Sequence, residues 1–175
     1  MPDKPDTESI SNLTASRIPT FEQNPILALP YLMNRLTSRL NQVWRNAIRP
    51  CGLTNTRWQV LSVLSVFNGS RVGVIADLIG EEQPAVSRVI DQLVRDKLVE
   101  RRPAKGDSRA VEVRITATGR KVYAQLLPAA EKYVHHLVAG FSTQETQTML
   151  RLLDRLSLNV ETAKGHIDET LEKNT

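Results

Sequence analysis

The apolar positions of this chain change period several times, and those changes divide it into elements. From Pro25, Leu29, Leu32, Met33, Leu36, Leu40, Val43, Trp44 and Ala47 recur at steps of three and four, which predicts a long helix with one apolar stripe ending near Pro50 and Gly52. Thr54 is placed to cap a second helix whose inward face is Trp58, Leu61, Leu64 and Val60, closed by Asn68-Gly69-Ser70. A short helix over Val74 to Ile79, the turn Gly80-Glu81-Glu82-Gln83 and a helix from Pro84 to about Lys97 follow, the last turning Val86, Val89, Ile90, Leu93 and Val94 inward. Two short helices joined by a tight glycine turn make a helix-turn-helix.

Past Lys97 the period drops to two. Leu98 to Arg102 and Ala110 to Ile115 read as strands flanking the turn-rich Pro103-Ala104-Lys105-Gly106-Asp107-Ser108, which predicts a β-hairpin. Thr116 or Thr118 caps a further helix carrying Val122, Leu126 and Leu127, and Pro128 is expected to bend or break it before Tyr133, Val134, Leu137 and Val138. Ser142-Thr143-Gln144-Glu145 has the form of a capping box opening a last helix with Met149, Leu152, Leu153, Leu156 and Val160. The expected fold is therefore mainly α, an α+β winged helix-turn-helix at 53–116, flanked by a helix at 25–52 and helices at 117–165. Residues 166–175 are expected to be a flexible tail. Residues 1–24 hold Pro2, Pro5 and Pro19 among many Ser, Thr, Asp and Asn without apolar periodicity, and are expected to form a disordered arm.

The flanking helices carry more leucine than one small domain needs. Leu29, Leu32 and Leu36 on the first helix and Leu153, Leu156 and Val160 on the last are expected to meet a second copy of the chain. A two-fold axis would set two recognition helices about 34 Å apart, in successive major grooves.

Composition narrows the function. Among 175 residues, 41% are hydrophobic and 24% charged, ordinary for a globular domain, and no apolar run approaches a membrane span or a signal peptide, so a cytoplasmic protein with no membrane partner is expected. One cysteine and three histidines argue against structural zinc, and no cofactor or metal is expected. The adjacent His135 and His136 face different sides of their helix. Cys51, in a Pro-Cys-Gly turn beside Arg49, is expected to be an inert packed thiol. Neither G-x-S-x-G, Walker nor H-E-x-x-H patterns occur, so no enzyme is expected. The net charge of +4 is unevenly spread: residues 101–114 hold five basic against two acidic residues, a net +3, whereas the arm carries −2.

That distribution suits duplex DNA. In the first turns of a recognition helix the exposed polar residues are Gln83, Ser87, Arg88 and Asp91. Gln can pair with adenine and Arg with guanine through two hydrogen bonds each. Arg101, Arg102, Lys105 and Arg109 on the hairpin can meet phosphates or enter the minor groove, with Asp107 holding an arginine or the turn. Two readings compete: a base-reading regulator, and a winged helix used for architecture or protein contacts.

Leu53-Thr54 with Trp58, Val60 and Leu61, the run Ser87-Arg88-Val89-Ile90-Asp91-Gln92-Leu93, Leu98-Val99-Glu100-Arg101, and Asp107-Ser108-Arg109-Ala110 through Ile115-Thr116 and Gly119 resemble the MarR family of bacterial transcriptional regulators over residues 26–160. The wing pattern D-x-R-A followed by T-x-x-G is its most specific part. The resemblance implies a homodimer held by its terminal helices and a ligand pocket where the dimer and DNA-binding regions meet. It implies recognition-helix contacts at Gln83, Pro84, Ser87 and Arg88 and a minor-groove contact at Arg109 supported by Asp107. It further implies a repressor released by a small anionic, often aromatic, compound or by an oxidant; coenzyme A thioesters of aromatic acids are included. Arg35 and Arg39 with Trp44 and Trp58 are the residues this chain offers such an effector. One position departs from the family: Lys97 stands where many relatives have glycine, so it either takes a positive φ or ends the helix differently.

Overall fold

The structure, a computed structural model, describes residues 24–104 and 107–172, with backbone alone at 25, 107–109, 161 and 164–172. The expected arm, Lys105 and the end of the tail lie outside the described residues.

A compact unit extends to Leu126 and a second begins at Leu127. In the first, a 3-10 turn at Pro25–Ala28 leads into α1, Leu29–Ile48, which closes through Arg49–Cys51 onto Gly52 at φ 70°. Helix α2, Asn55–Val66, starts where expected: Thr54 is extended and its Oγ1 accepts the Arg57 N–H at 3.3 Å. Helix α3, Val72–Ile79, stops at Gly80, whose φ of 70° turns the chain into α4, Gln83–Arg95. Pro84 sits in the first turn of α4, where its missing N–H costs nothing.

The hairpin pairs β1, Val99–Ala104, with β2, Asp107–Ile115, in antiparallel register with Val99 opposite Ile115 and Arg101 opposite Val113. The ladder runs further into the predicted loop than the sequence pattern suggested. Pro103 opposite Val111 is tolerated because β1 is an edge strand that needs no outward N–H. Ser70 bridges Val113 on the other side, and the Asn68 side chain accepts the Ile115 N–H at 3.0 Å, so the turn after α2 becomes part of the wing.

The core of this unit is Val60, Leu61 and Leu64 of α2, Ile75 of α3, Val86, Ile90 and Leu93 of α4, and Val113 of β2, all fully buried. Val86, Ile90 and Leu93 fall at i, i+4 and i+7, so one stripe of α4 packs on α2, α3 and β1 and the opposite stripe is left outside. At about 1.5–3 kcal/mol for each large apolar side chain removed from water, these contacts fix the azimuth of α4. Trp58, expected inside, is half-buried, while Val60, Leu61 and Leu64 are fully buried. Ile48 joins α1 to the core, although the stripe reading pointed to Ala47, which is exposed.

Thr116 caps α5, Ala117–Leu137, with its Oγ1 accepting the Gly119 N–H at 3.0 Å. Pro128 does not break this helix, which excludes one of the two expected alternatives. The helix keeps the turns on both sides and forgoes only the bond that the Pro128 nitrogen would have given to the carbonyl four residues back. In the second unit α6, Thr143–Glu172, opens on the predicted capping box: Glu145 accepts the Ser142 N–H at 2.8 Å and Ser142 Oγ accepts the Glu145 N–H at 3.2 Å.

Candidate nucleic-acid interface

The outward stripe of α4 presents Gln83, Pro84, Arg88 and Asp91, all exposed, with Ser87 half-buried among them. Arg88 makes no hydrogen bond or ion pair with any described residue, so its fork of donors is open to solvent. The Gln83 side chain lies over Gly73 of α3, whose added Cβ would stand 3.5 Å from Gln83 Oε1. Four of the side chains expected to read DNA therefore share one face because the other face is committed to the core.

The hairpin is less basic than its residue count implies. Arg101 Nη2 donates to Asp91 Oδ1 at 2.8 Å and to Ser87 Oγ at 3.3 Å, so this wing arginine lies against the recognition helix. Arg102 Nε pairs with Glu100 Oε1 at 2.8 Å, and Arg114 Nη2 with Glu112 Oε2 at 2.9 Å. The Glu112–Arg114 pair packs over Gly69, which has φ 93° and whose Cβ would meet Glu112 Oε2 at 3.0 Å. Exposed ion pairs contribute only about 0–1 kcal/mol, so Arg102, 61% exposed, can exchange Glu100 for a phosphate at little cost. Of Asp107 and Arg109 only the backbone in β2 is described, and Lys105 is outside the described residues.

The C-terminal end of α4 is anchored from below. Arg57 Nη2 pairs with Asp96 Oδ2, and Lys97 takes a φ of 59°, the first of its two expected alternatives. Leu98 N–H then returns to the Leu93 carbonyl at 2.9 Å, which lets β1 begin at once beside the helix.

The residues expected to receive an effector are only partly brought together. Trp44 and Trp58 meet edge to face with ring centres 5.4 Å apart, and Trp58 stacks on Tyr123 of α5 at 5.0 Å. Arg35, nine residues before Trp44, lies about 180° round α1 from it, and Arg39 about 140°. Arg35 instead lines a shallow hollow with Pro30, Tyr31 and Asn34. Tyr123 was not singled out from the sequence, although Tyr123, Leu126 and Leu127 form an i, i+3, i+4 set that pointed to it. Cys51 is exposed, not packed. Among the described residues no group of three or more His, Cys, Asp or Glu is placed to hold a metal, and no helix is long and apolar enough to cross a membrane.

Leu29, Leu32 and Leu36 on α1 and Leu153 and Val160 on α6 are all exposed, and Leu156 is half-buried.

The model of the MarR family matches residues 52–110, from the turn before α2 into β2. A MarR-family transcriptional regulator from Silicibacter pomeroyi is 32% identical, with 75% of this chain and 89% of that one aligned at a TM-score of 0.69. BpsR of Bordetella bronchiseptica, whose DNA binding is regulated by 6-hydroxynicotinic acid, is similar at 24% identity over 74% of this chain and 98% of that one, TM-score 0.66. MepR of S. aureus, solved as a DNA complex, is similar at 21% identity over 75% and 95% of the two chains, TM-score 0.68. The winged helix, the outward stripe of α4 and this level of identity over nearly the whole of a relative place the chain in the MarR family, as a DNA-binding transcriptional regulator.

Proposed function

We propose that this regulator binds a near-palindromic operator as a homodimer, acts there as a repressor in the cytoplasm, and leaves the DNA when a small aromatic acid or its coenzyme A thioester binds. The observation that carries the reading is the uncovered stripe of α1, where Leu29, Leu32 and Leu36 are 39%, 42% and 59% exposed. A contiguous apolar face of that kind marks an interaction surface, and a second copy supplies the same face by symmetry. Leu153, Leu156 and Val160 of α6 are assigned to contacts with the second copy as well, with residues 25–52 and 117–165 as the dimerisation regions and 53–116 as the reader.

In this reading Gln83, Pro84, Ser87 and Arg88 meet the major groove, Arg102 and Lys105 support the wing on phosphate while Arg101 ties the wing to the recognition helix, and Arg109 enters the minor groove with Asp107 holding it. MepR supports the duplex as partner, and BpsR supports an aromatic acid as the class of effector. The aromatic cluster of Trp44, Trp58 and Tyr123 supports an aromatic ligand beside it better than Arg35 and Arg39, which lie on other sides of α1 from Trp44.

The test is selection from a randomised duplex pool followed by titration and sedimentation. Enrichment of an inverted repeat, two chains per duplex, and release by an aromatic acid are expected. Leu36→Asp should give a monomer that no longer holds the enriched duplex. A wild-type monomer at micromolar concentration, or enrichment of no sequence, would overturn the reading.

A further inference from the structure

Asp91 is an acid on a surface that must approach phosphate. It stands one turn beyond Ser87 on α4, and i, i+4 residues of a helix are surface neighbours. Arg101 of β1 spans both: its Nη2 donates to Asp91 Oδ1 at 2.8 Å and to Ser87 Oγ at 3.3 Å. As a contribution to folding this pair is a poor investment, since its side chains are 32% and 52% exposed and exposed ion pairs contribute little. Its consequence for Ser87 is larger.

A serine hydroxyl has one hydrogen to give and two lone pairs to receive with. Arg101 occupies one lone pair, and its positive charge sits beside the other, so a second donor brought to Ser87 would be set against a guanidinium. The O–H is what remains. We infer that Asp91 and Arg101 are a positioning pair that makes Ser87 a hydrogen-bond donor only, so that the base edge it meets must present an acceptor. In the major groove that selects guanine N7 or O6, adenine N7 or thymine O4, and rejects the amino groups of cytosine and adenine. Asp91 touches no base and acts through Arg101. The inference rests on the sequence-specific reading proposed above.

The full-length protein is used to select from a randomised duplex pool, alongside D91N, D91E, S87A and R101Q, and the enriched pools are sequenced. D91N is expected to lose about 10-fold of discrimination at one base pair per half-site. S87A and R101Q should lose it at that same base pair, D91E should restore part of it, and S87A/D91N should lose no more than S87A alone. If D91N weakens the enriched duplex and a scrambled one equally and keeps its base preference, the pair is only a structural brace and the inference falls. It falls also if D91N and S87A alter different base pairs. Should D91N unfold by circular dichroism, S87A and R101Q decide the matter on the same criterion. A wild-type pool without any enriched sequence would overturn the sequence-specific reading itself, and this assignment with it.

Discussion

Gly119 lies so close to the Leu98 carbonyl that a β-carbon on it would stand 2.1 Å from the oxygen and 2.8 Å from Ile115 Cγ1. The contact is built by Thr116, whose N–H donates to the Leu98 carbonyl at 3.0 Å and whose hydroxyl donates to the Lys97 carbonyl at 2.8 Å. Helix α5 is thereby drawn against the strand that follows the recognition helix. Gly119→Ala must push backbone from backbone, a displacement no rotamer change can absorb. It is expected to cost about 3 kcal/mol, the upper end for overpacking, read as a lower urea midpoint at unchanged m.

Lys97 offers the opposite experiment. Its φ of 59° is a left-handed conformation that costs an ordinary residue about 1–2 kcal/mol, while glycine at the same place forfeits about 0.5–1 kcal/mol of chain entropy. Lys97→Gly is therefore expected to stabilise the protein by about 0.5–1 kcal/mol. A thermal midpoint that stays the same or falls would show that the Lys97 side chain returns more than its backbone costs.

The contrast between Gly119 and Lys97 shows which parts of the structure were legible in the sequence. Periodicity placed α2 through β2 because Leu61, Ile90 and Leu93 repeat at helical spacing and Val113 and Ile115 at strand spacing, and each is buried. Thr54 and Ser142 were readable as caps because a cap is a local hydrogen bond. The partner of Arg101 was not readable, because ten residues and a change of element separate it from Asp91, and a charge count assigns arginines on a hairpin to the ligand. Pro128 left bending and breaking open for a related reason: a proline ring removes one bond from a helix, and the turns on either side decide whether the helix survives.

The capping box of α6 responds to pH with a definite sign. The Ser142 N–H and hydroxyl both donate to Glu145, and these bonds hold its carboxyl below the usual glutamate range. A lowered folded-state value means that the contribution is fully present above the ordinary pKa, about 4.3, and is lost as pH falls through the depressed value. Protection of the Ser142 and Glu145 amides, taken relative to the intrinsic exchange rate at each pH, is expected to fall on acidification through that window. Glu145→Gln, which keeps the shape without the charge, should flatten this dependence; a variant with the wild-type profile would exclude the carboxylate as its source.

Arg88 and Arg102 separate the two ways an arginine serves a DNA-binding surface. Arg88 is exposed in the outward stripe of α4 with no described partner, and its free fork of donors is what the guanine contact proposed above requires. Arg102 lies on β1, paired with Glu100 and open to solvent, where a phosphate can replace the carboxylate. Arg88→Ala is expected to cost about 1–3 kcal/mol on the enriched duplex and to relax preference at one base pair per half-site. Arg102→Ala should weaken all duplexes alike and lower the slope of log affinity against log salt by about 1 for each site contacted. In the homodimer proposed above each residue is presented twice, so the slope should drop by about 2 per operator. A change of about 1 would mean that one of the two wings misses the backbone, and a base-specific loss from Arg102→Ala would move that residue from phosphate to the groove.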